Sequence, residues 1–599
     1  MSGTQVELPG PDNLVEIFEQ AVEKFRDKDL FGTKNTEKTD YNWVTYGQVA
    51  DRVDNLRAGL ASVGIKKGDS IGIIANNRVE WAVAAYATYG LSAKFIPMYE
   101  SELDRILKYI IADSGVKLLF VARDDIFDRV KDFPDEIESL EKIYVIEGDG
   151  DNSMAVLEKI GKEKPVSSIK PEKSDIAGLI YTSGTTGNPK GVLLSHYNLA
   201  TNAIATTMSL PNNVKPGDRT LSFLPWAHSF GQTAELHMLI NFGGQTGFAE
   251  SPLTIVDDLA MVKPTLLIAV PRVFNKVFTG LKDRMEKEGG LPKKLFDMGL
   301  TESEKKRAGK GGLMNSLKLG LVDKLVYSKV REKFGGRIKM CLSSSAALSP
   351  KIAEFFSDIG IPVYEAWGMT ELSPAHTVNT FDKNKPGTVG SPIPGCSLKI
   401  DTSLSFDSDK EGEIIAYGPN VMVGYHNLPD KTAEVFTEDG GLRTGDRGWI
   451  DEDGYLHITG RIKEQYKLEN GKYIFPADIE EAIKLSMFIE NAMVHGANRP
   501  YNVAVIVPDW MVVDPWLQEQ GLPSDHKEAI KHPKLMEAIE AEVQKTCSEF
   551  ASYEVPKKLV LIPEAFSPEN GILTPTLKLK RREVHRIHGD QIEALFESP

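Results

Sequence analysis

The stretch "YTSGTTGNPKGV", residues 181–192, follows "IAGLI" (176–180), an apolar run that reads as a buried strand. Within twelve positions it places three glycines, a Ser/Thr cluster and one lysine. A strand ending in such a loop suits an anion, because glycines let backbone N–H groups converge and hydroxyls add donors. Lys190 supplies a point charge. Two familiar phosphate loops are excluded by spacing. The P-loop needs glycine before its lysine and Ser/Thr after it, and this chain has Pro189 and Gly191. The dinucleotide fingerprint fails because Gly184 and Gly187 lack the first-pair spacing.

Outward from this loop, short β-branched runs alternate with amphipathic stretches. Strands are expected at 70–76, 117–122, 142–148, 265–270 and 337–343, with a helix over 46–64, where Val49, Val53, Leu56 and Leu60 recur at helical spacing. The alternation predicts an α/β fold with largely parallel sheets. From about residue 390 the texture turns to β and turn, and a smaller unit is expected to start near Arg461. At 599 residues the chain needs several cores. A net charge of −15 excludes general nucleic-acid binding, which needs a basic face. Residues 281–333 run against that balance, with 14 Lys/Arg to 8 Asp/Glu. They read as a solvated helical insertion, or as a patch for a membrane surface or partner. Three widely spaced cysteines suit a reducing, cytosolic setting, and no signal or membrane-spanning run is recognised.

Taken whole, "YTSGTTGNPKGV" resembles the signature loop of the adenylate-forming, AMP-binding superfamily, which includes acyl-CoA synthetases, adenylation domains and luciferases. The resemblance implies that Thr182, Ser183, Gly184, Thr185, Thr186, Gly187 and Lys190 wrap the outer phosphates of ATP. Further blocks follow in the family's order. "YEAWGMTE" (364–371) resembles the Y-G-x-T-E block, implying Trp367 and Gly368 against adenine, Thr370 at the α-phosphate and Glu371 on Mg²⁺. "RTGDRGWIDEDGYLHITGR" (443–461) implies Asp446 at the ribose hydroxyls and Arg461 at ribose or phosphate. "GILTPTLKLKRREV" (571–584) implies Lys578 as the mobile adenylation lysine, with Lys580 the other candidate. "LSFLPWAHSFGQ" (221–232) resembles a segment of long-chain members and places His228 near the acyl carboxylate, where it would orient rather than ionise the nucleophile. "CLSSSAALSP" (341–350) departs from the family's glycine-rich version. Ser345 and Ala346 still stand where backbone would meet adenine, but Ser344, Ser345 and Ala347 replace residues with different backbone freedom.

The resemblance spans about residues 40 to 590 and fits long-chain fatty-acyl-CoA synthetases most closely. It implies a large N-terminal domain (1–460) of α/β subdomains plus a β-rich subdomain, carrying the basic helical insertion at 281–333. A small, mobile α+β C-terminal domain (461–599) follows. It further implies ATP, Mg²⁺ and coenzyme A, with Lys463 at the hinge and Gly471 in the CoA-facing loop. The activity implied is activation of a fatty acid as acyl-AMP and transfer of the acyl group to CoA. An adenylate former for aryl or shorter acids and a nucleotide-binding pseudoenzyme are the alternatives. Peripheral membrane contact stays open.

Overall fold

The computed structural model describes residues 8–182, 188–210, 214–251, 253–403, 409–574 and 577–597. Ser183, Gly184, Thr185, Thr186 and Gly187, five of the expected phosphate-loop residues, lie outside them. The strands flanking that loop are clear. Ile176–Thr182 and Lys190–Ser195 pair antiparallel, with Thr182 opposite Lys190. They are the second and third strands of a seven-stranded sheet. Its order runs Gly424–Tyr425, Lys190–Ser195, Ile176–Thr182, Lys94–Met98, Ser70–Ile74, Val116–Val121 and Lys142–Val145. The last five run parallel. Their near-continuous burial follows from helices on both faces, as parallel strands require.

The expected helix over 46–64 forms as Tyr46–Ser62. Thr45 caps it and Gln48 reaches back, which satisfies two end donors reciprocally. A second sheet joins Leu266–Ala269, Met340–Ser343 and Val363–Gly368 in parallel, then turns back antiparallel through Ala375–Val378 and Ser391–Pro392. The β-rich stretch after 390 becomes a four-stranded antiparallel sheet, ending in the hairpin Leu442–Ile450 and Leu456–Arg461. Strand ends fall short of the sequence reading in places. The expected strand at 337–343 starts only at Met340, and that at 142–148 stops at Val145.

The expected insertion at 281–333 is not merely exposed. Its first helix already starts at Pro271 and runs to Glu288, and Gly290–Arg307 follows. Leu295, Phe296 and Gly299 recur at helical spacing and are buried, so one face packs on the core through Phe355 and Tyr327. Beyond Ile462 the chain builds separate cores, two clusters drawn entirely from residues 468–592. A three-stranded sheet (Ile489–His495, Val503–Pro508, Lys558–Leu561) with helices Pro533–Thr546 and Arg581–Glu597 carries them.

Candidate active site

The strand Val363–Gly368 runs into a single tight turn, Thr370–Leu372. Gly368 is obligatory there. A Cβ at that position would stand 1.7 Å from the Pro374 carbonyl oxygen, so only glycine lets the chain fold back this closely. Two buried asparagines fix the turn. Asn202 and Asn420 both donate side-chain N–H bonds to the Leu372 and Ala375 carbonyls, at 2.6 to 3.1 Å. Glu371 is thereby held at a set place. The Tyr425 hydroxyl donates to its Oε1 at 2.8 Å, and its carbonyl accepts from Met422 N–H. The Lys190 ammonium lies over the same Tyr425 ring, 4.4 Å from its centroid. Lys190, Tyr425 and Glu371 thus form one line from the phosphate-loop hairpin to the turn.

Asp446 reaches the site through a bulge. Between the pairs Arg443–Ile415 and Arg447–Glu413, residues 444–446 oppose one partner, and Gly445 takes φ +71°. The bulge re-aims the side chain. The buried Asp446 carboxylate accepts from the Trp367 indole N–H at 2.8 Å through Oδ2, and its Oδ1 forms an ion pair with Arg461 Nε at 3.0 Å. Arg461 stands directly opposite it across the hairpin. Burial raises the Asp446 pKa, against the pull of Arg461. That carboxylate raises the arginine's value in turn. Each oxygen retains a lone pair for a further donor.

Lys578 enters from the C-terminal unit. Its backbone is pinned by a pair of bonds with Thr574, N–H to Oγ1 at 3.0 Å and carbonyl to N–H at 2.8 Å. The residue is exposed as a whole, yet surrounding protein desolvates its ammonium. That desolvation, then the Arg461 charge, lowers its pKa, while Asp446, Glu371 and Glu464 oppose the shift. Lys580 has Glu102 as its charged neighbour instead.

His228 is set by a clamp on its segment. Asn77 accepts from Trp226 N–H at 2.8 Å and donates to Ser222 Oγ and the Leu224 carbonyl. Phe230 N–H donates to His228 Nδ1 at 3.2 Å, so the ring proton sits on Nε2. Burial, then Lys578, pushes its pKa down to about 3, so the imidazole stays neutral at ordinary pH. Next to it, Ser229 and Thr370 hydroxyls lie 3.2 Å apart. Behind Phe230 is an apolar cavity of about 20 Å³ between Thr233, Met238, Leu342 and Ala366.

Ser345 takes φ +79°, the conformation that glycine would occupy without strain, and Ser345 and Ala346 are exposed just past the end of the strand Met340–Ser343. Nearby, Glu365 accepts from Leu348 and Gly387 N–H, and burial pushes its carboxyl up to about 7. Trp367 is buried rather than open-faced, its N–H committed to Asp446. Lys463 is exposed in the connection two residues after Arg461, and Gly471 (φ +81°) turns the small hairpin Tyr466–Lys467/Tyr473–Ile474. Tyr425, Ser229, Asn202 and Asn420 were not singled out from sequence. Tyr425 and Asn420 lie in the stretch "YGPNVMVGYHN", and only three-dimensional pairing reveals them.

A parallel sheet with an antiparallel hairpin loop, a β-rich unit and a cation carried in from a separate C-terminal unit together define an adenylate-forming architecture. The fold is shared with the adenylation domain of a carboxylate reductase from Mycobacterium chelonae, at a TM-score of 0.80 and 21% identity over 98% of this chain and 92% of that one. An anthranilate CoA ligase bound to anthranoyl-AMP matches at 0.73 and 19%, over 98% and 99%. The chain belongs to the AMP-binding enzyme family: residues 18–426 match its main pattern and residues 463–599 the AMP-binding enzyme C-terminal domain. Curated relatives include long chain acyl-CoA synthetase 6, peroxisomal, of Arabidopsis thaliana, 31% identical over 98% of this chain and 87% of that protein. Long-chain-fatty-acid–CoA ligase 5 of Mus musculus is 32% identical, over 93% and 85%. A long-chain-fatty-acid–CoA ligase of Mycobacterium tuberculosis is 31% identical, over 92% of both chains.

Proposed function

We propose that the protein is an ATP-dependent long-chain fatty acid–CoA ligase that forms AMP. The observation that carries this reading is the meeting of Lys578 with the charges of Asp446, Arg461 and Glu371, beside a neutral histidine. The long-chain ligases aligned over nearly the whole chain support the substrate class.

On this reading the fatty carboxylate, already ionised, attacks the α-phosphorus of ATP, and pyrophosphate leaves. His228 Nε2–H orients the carboxylate, Thr370 holds the α-phosphate, and Lys578 stabilises charge as it develops between them. Asp446 receives the ribose hydroxyls on its remaining lone pairs. Lys190, with the residues from Thr182 to Gly187, holds the departing pyrophosphate, and Ser345, Ala346, Trp367 and Gly368 border the adenine. Among the described residues no three His, Cys, Asp or Glu side chains gather as a metal cage. That suits Mg²⁺, which takes one or two carboxylates plus substrate phosphates; Glu371 would hold it, neutralising phosphate charge when bound.

The second step uses the same pocket. The unit from 461 to 599 rotates about Lys463, withdraws Lys578 and presents the Gly471 hairpin to CoA, whose thiolate attacks the acyl carbonyl and expels AMP. The large unit, 1–460, stays as the platform. The test is an acid panel with ATP, Mg²⁺ and CoA, read as thioester and pyrophosphate. Turnover should rise with chain length into the long-chain range. A preference for aryl or short acids would overturn the substrate class, and ATP binding without acid-dependent turnover would overturn the activity.

A further inference from the structure

The helix Leu313–Val322, continued through Asp323–Tyr327 and Ser328–Lys333, is apolar on two faces. One face is packed: Val322 and Val326 enter the core, and Asn315 donates to Glu302 at 2.7 and 2.9 Å. The other is open. Leu313, Leu317, Leu321 and Leu325 repeat every fourth residue along it, 82%, 62%, 49% and 40% exposed, with Met314 beside them at 66%. A ridge of five aliphatic side chains left in water is not explained by packing.

The charge around the ridge is one-sided. Within 303–333 nine Lys/Arg face three Asp/Glu, so the entire basic surplus of the 281–333 segment lies here, on a chain of net charge −15. Lys310, Lys324, Lys329 and Lys333 are exposed and pair with no acid among the described residues, whereas Lys305, Lys318, Arg307 and Arg331 are committed to Glu302, Asp358 and Asp323. The ridge is aliphatic and without an aromatic anchor. Protein interfaces are built on such anchors in complementary pockets. Acyl chains need neither, and leucines flanked by lysines are the pattern of helices that lie in a bilayer interface.

We infer that the Leu313–Leu325 ridge seats the enzyme on an anionic bilayer surface, with the leucines in the acyl boundary and the free lysines among the headgroups. This deepens the proposed function, since a long-chain acid resides in that phase, but its test needs no turnover. The full chain, without ATP or acid, is mixed with vesicles of equal parts phosphatidylcholine and phosphatidylglycerol, or of phosphatidylcholine alone, and separated by flotation. The protein should float with the anionic vesicles and release as salt rises. Leu317→Asp with Leu321→Asp should reduce partitioning about tenfold or more at an unchanged thermal midpoint. Lys310→Glu, Lys324→Glu and Lys329→Glu together should abolish the preference for anionic lipid. The inference is overturned if the wild type stays unbound, or if the leucine variant floats equally. It is also overturned if light scattering shows a dimer that this variant dissolves without any change in flotation. Thioester formation in the acid panel is read separately, so failure of either reading is distinguishable from failure of the other.

Discussion

Tyr425 joins Lys190 and Glu371 through two different parts of one side chain, the ring face and the hydroxyl. Tyr425→Phe keeps the first and removes the second. A hydrogen bond to a charged group contributes about 1.5–3 kcal/mol. Pyrophosphate release should therefore fall roughly ten- to a hundredfold, with the Mg²⁺ dependence shifted to higher concentration; an unchanged Mg²⁺ titration would rule out a metal role for Glu371. Trp367→Phe makes a parallel case. It keeps an aromatic face and deletes the N–H that holds Asp446, so KM for ATP should rise about tenfold with kcat less affected. A loss confined to kcat would contradict a binding role. Trp367, Thr370 and Glu371 stood out as candidates because they fall within one short block, which displays its own chemistry. Tyr425, Asn420 and Asn202 act on that block from 54, 48 and 170 positions away. No periodicity encodes such pairings, so the sequence was silent on the residues that make the block rigid.

At the scale of elements, the turn Gln232–His237 just past His228 carries Glu235, fully buried and bonded at Oε2 by the Ser222 hydroxyl. Burial raises its carboxyl from 4.5 to about 8. The folded state holds this proton more tightly than the unfolded state. Its stabilising effect is complete below about 4.5 and is lost as pH climbs through about 8. Glu235→Gln keeps an acceptor for Ser222 and cannot ionise. Thermal melts should show the variant more stable than wild type near pH 9, on the order of 1–3 kcal/mol, and no better near pH 5. A gain of the same size at both pH values would mean that folding does not raise this carboxyl's pKa. Helices and strands themselves were largely legible, because amphipathic spacing sets them. The two-faced Leu313 helix was not. Its periodicity announces a buried face and gives no sign of which apolar face that will be.

For the whole molecule, the proposed division into a large platform and a small mobile unit bears on the contacts between them. Among the described residues, two ion pairs bridge residues before 461 to residues after it, Lys276 with Asp509 at 3.6 Å and Lys351 with Glu549. Both involve exposed side chains. Such pairs contribute about 0–1 kcal/mol each, so they resist rotation weakly. Lys578→Ala should then separate the half-reactions, slowing acyl-AMP formation by two or more orders of magnitude (roughly 100-fold) while sparing thioester formation from supplied acyl-AMP. Equal loss in both would show that Lys578 serves the fold and not the first step. The charged connection at 459–464 is where the smaller unit was expected to begin, and the change of texture near residue 390 was visible because β-rich and α/β sequences differ in composition. The orientation that brings Lys578 to Asp446 was not, since it depends on how two finished cores meet.

Asp446 is shared between Arg461 and anything else that fills the cleft, and Arg461 ends its strand just before the chain departs for the C-terminal unit. A ligand that draws on the carboxylate loosens its grip on the arginine, and a unit that swings away pulls on the same bond. Reciprocity of linked equilibria then applies: whatever factor nucleotide contributes to releasing Arg461, release of Arg461 returns to nucleotide affinity. On the proposed function the pair would be a joint one ion pair long, through which occupancy of the site and posture of the C-terminal unit report on each other.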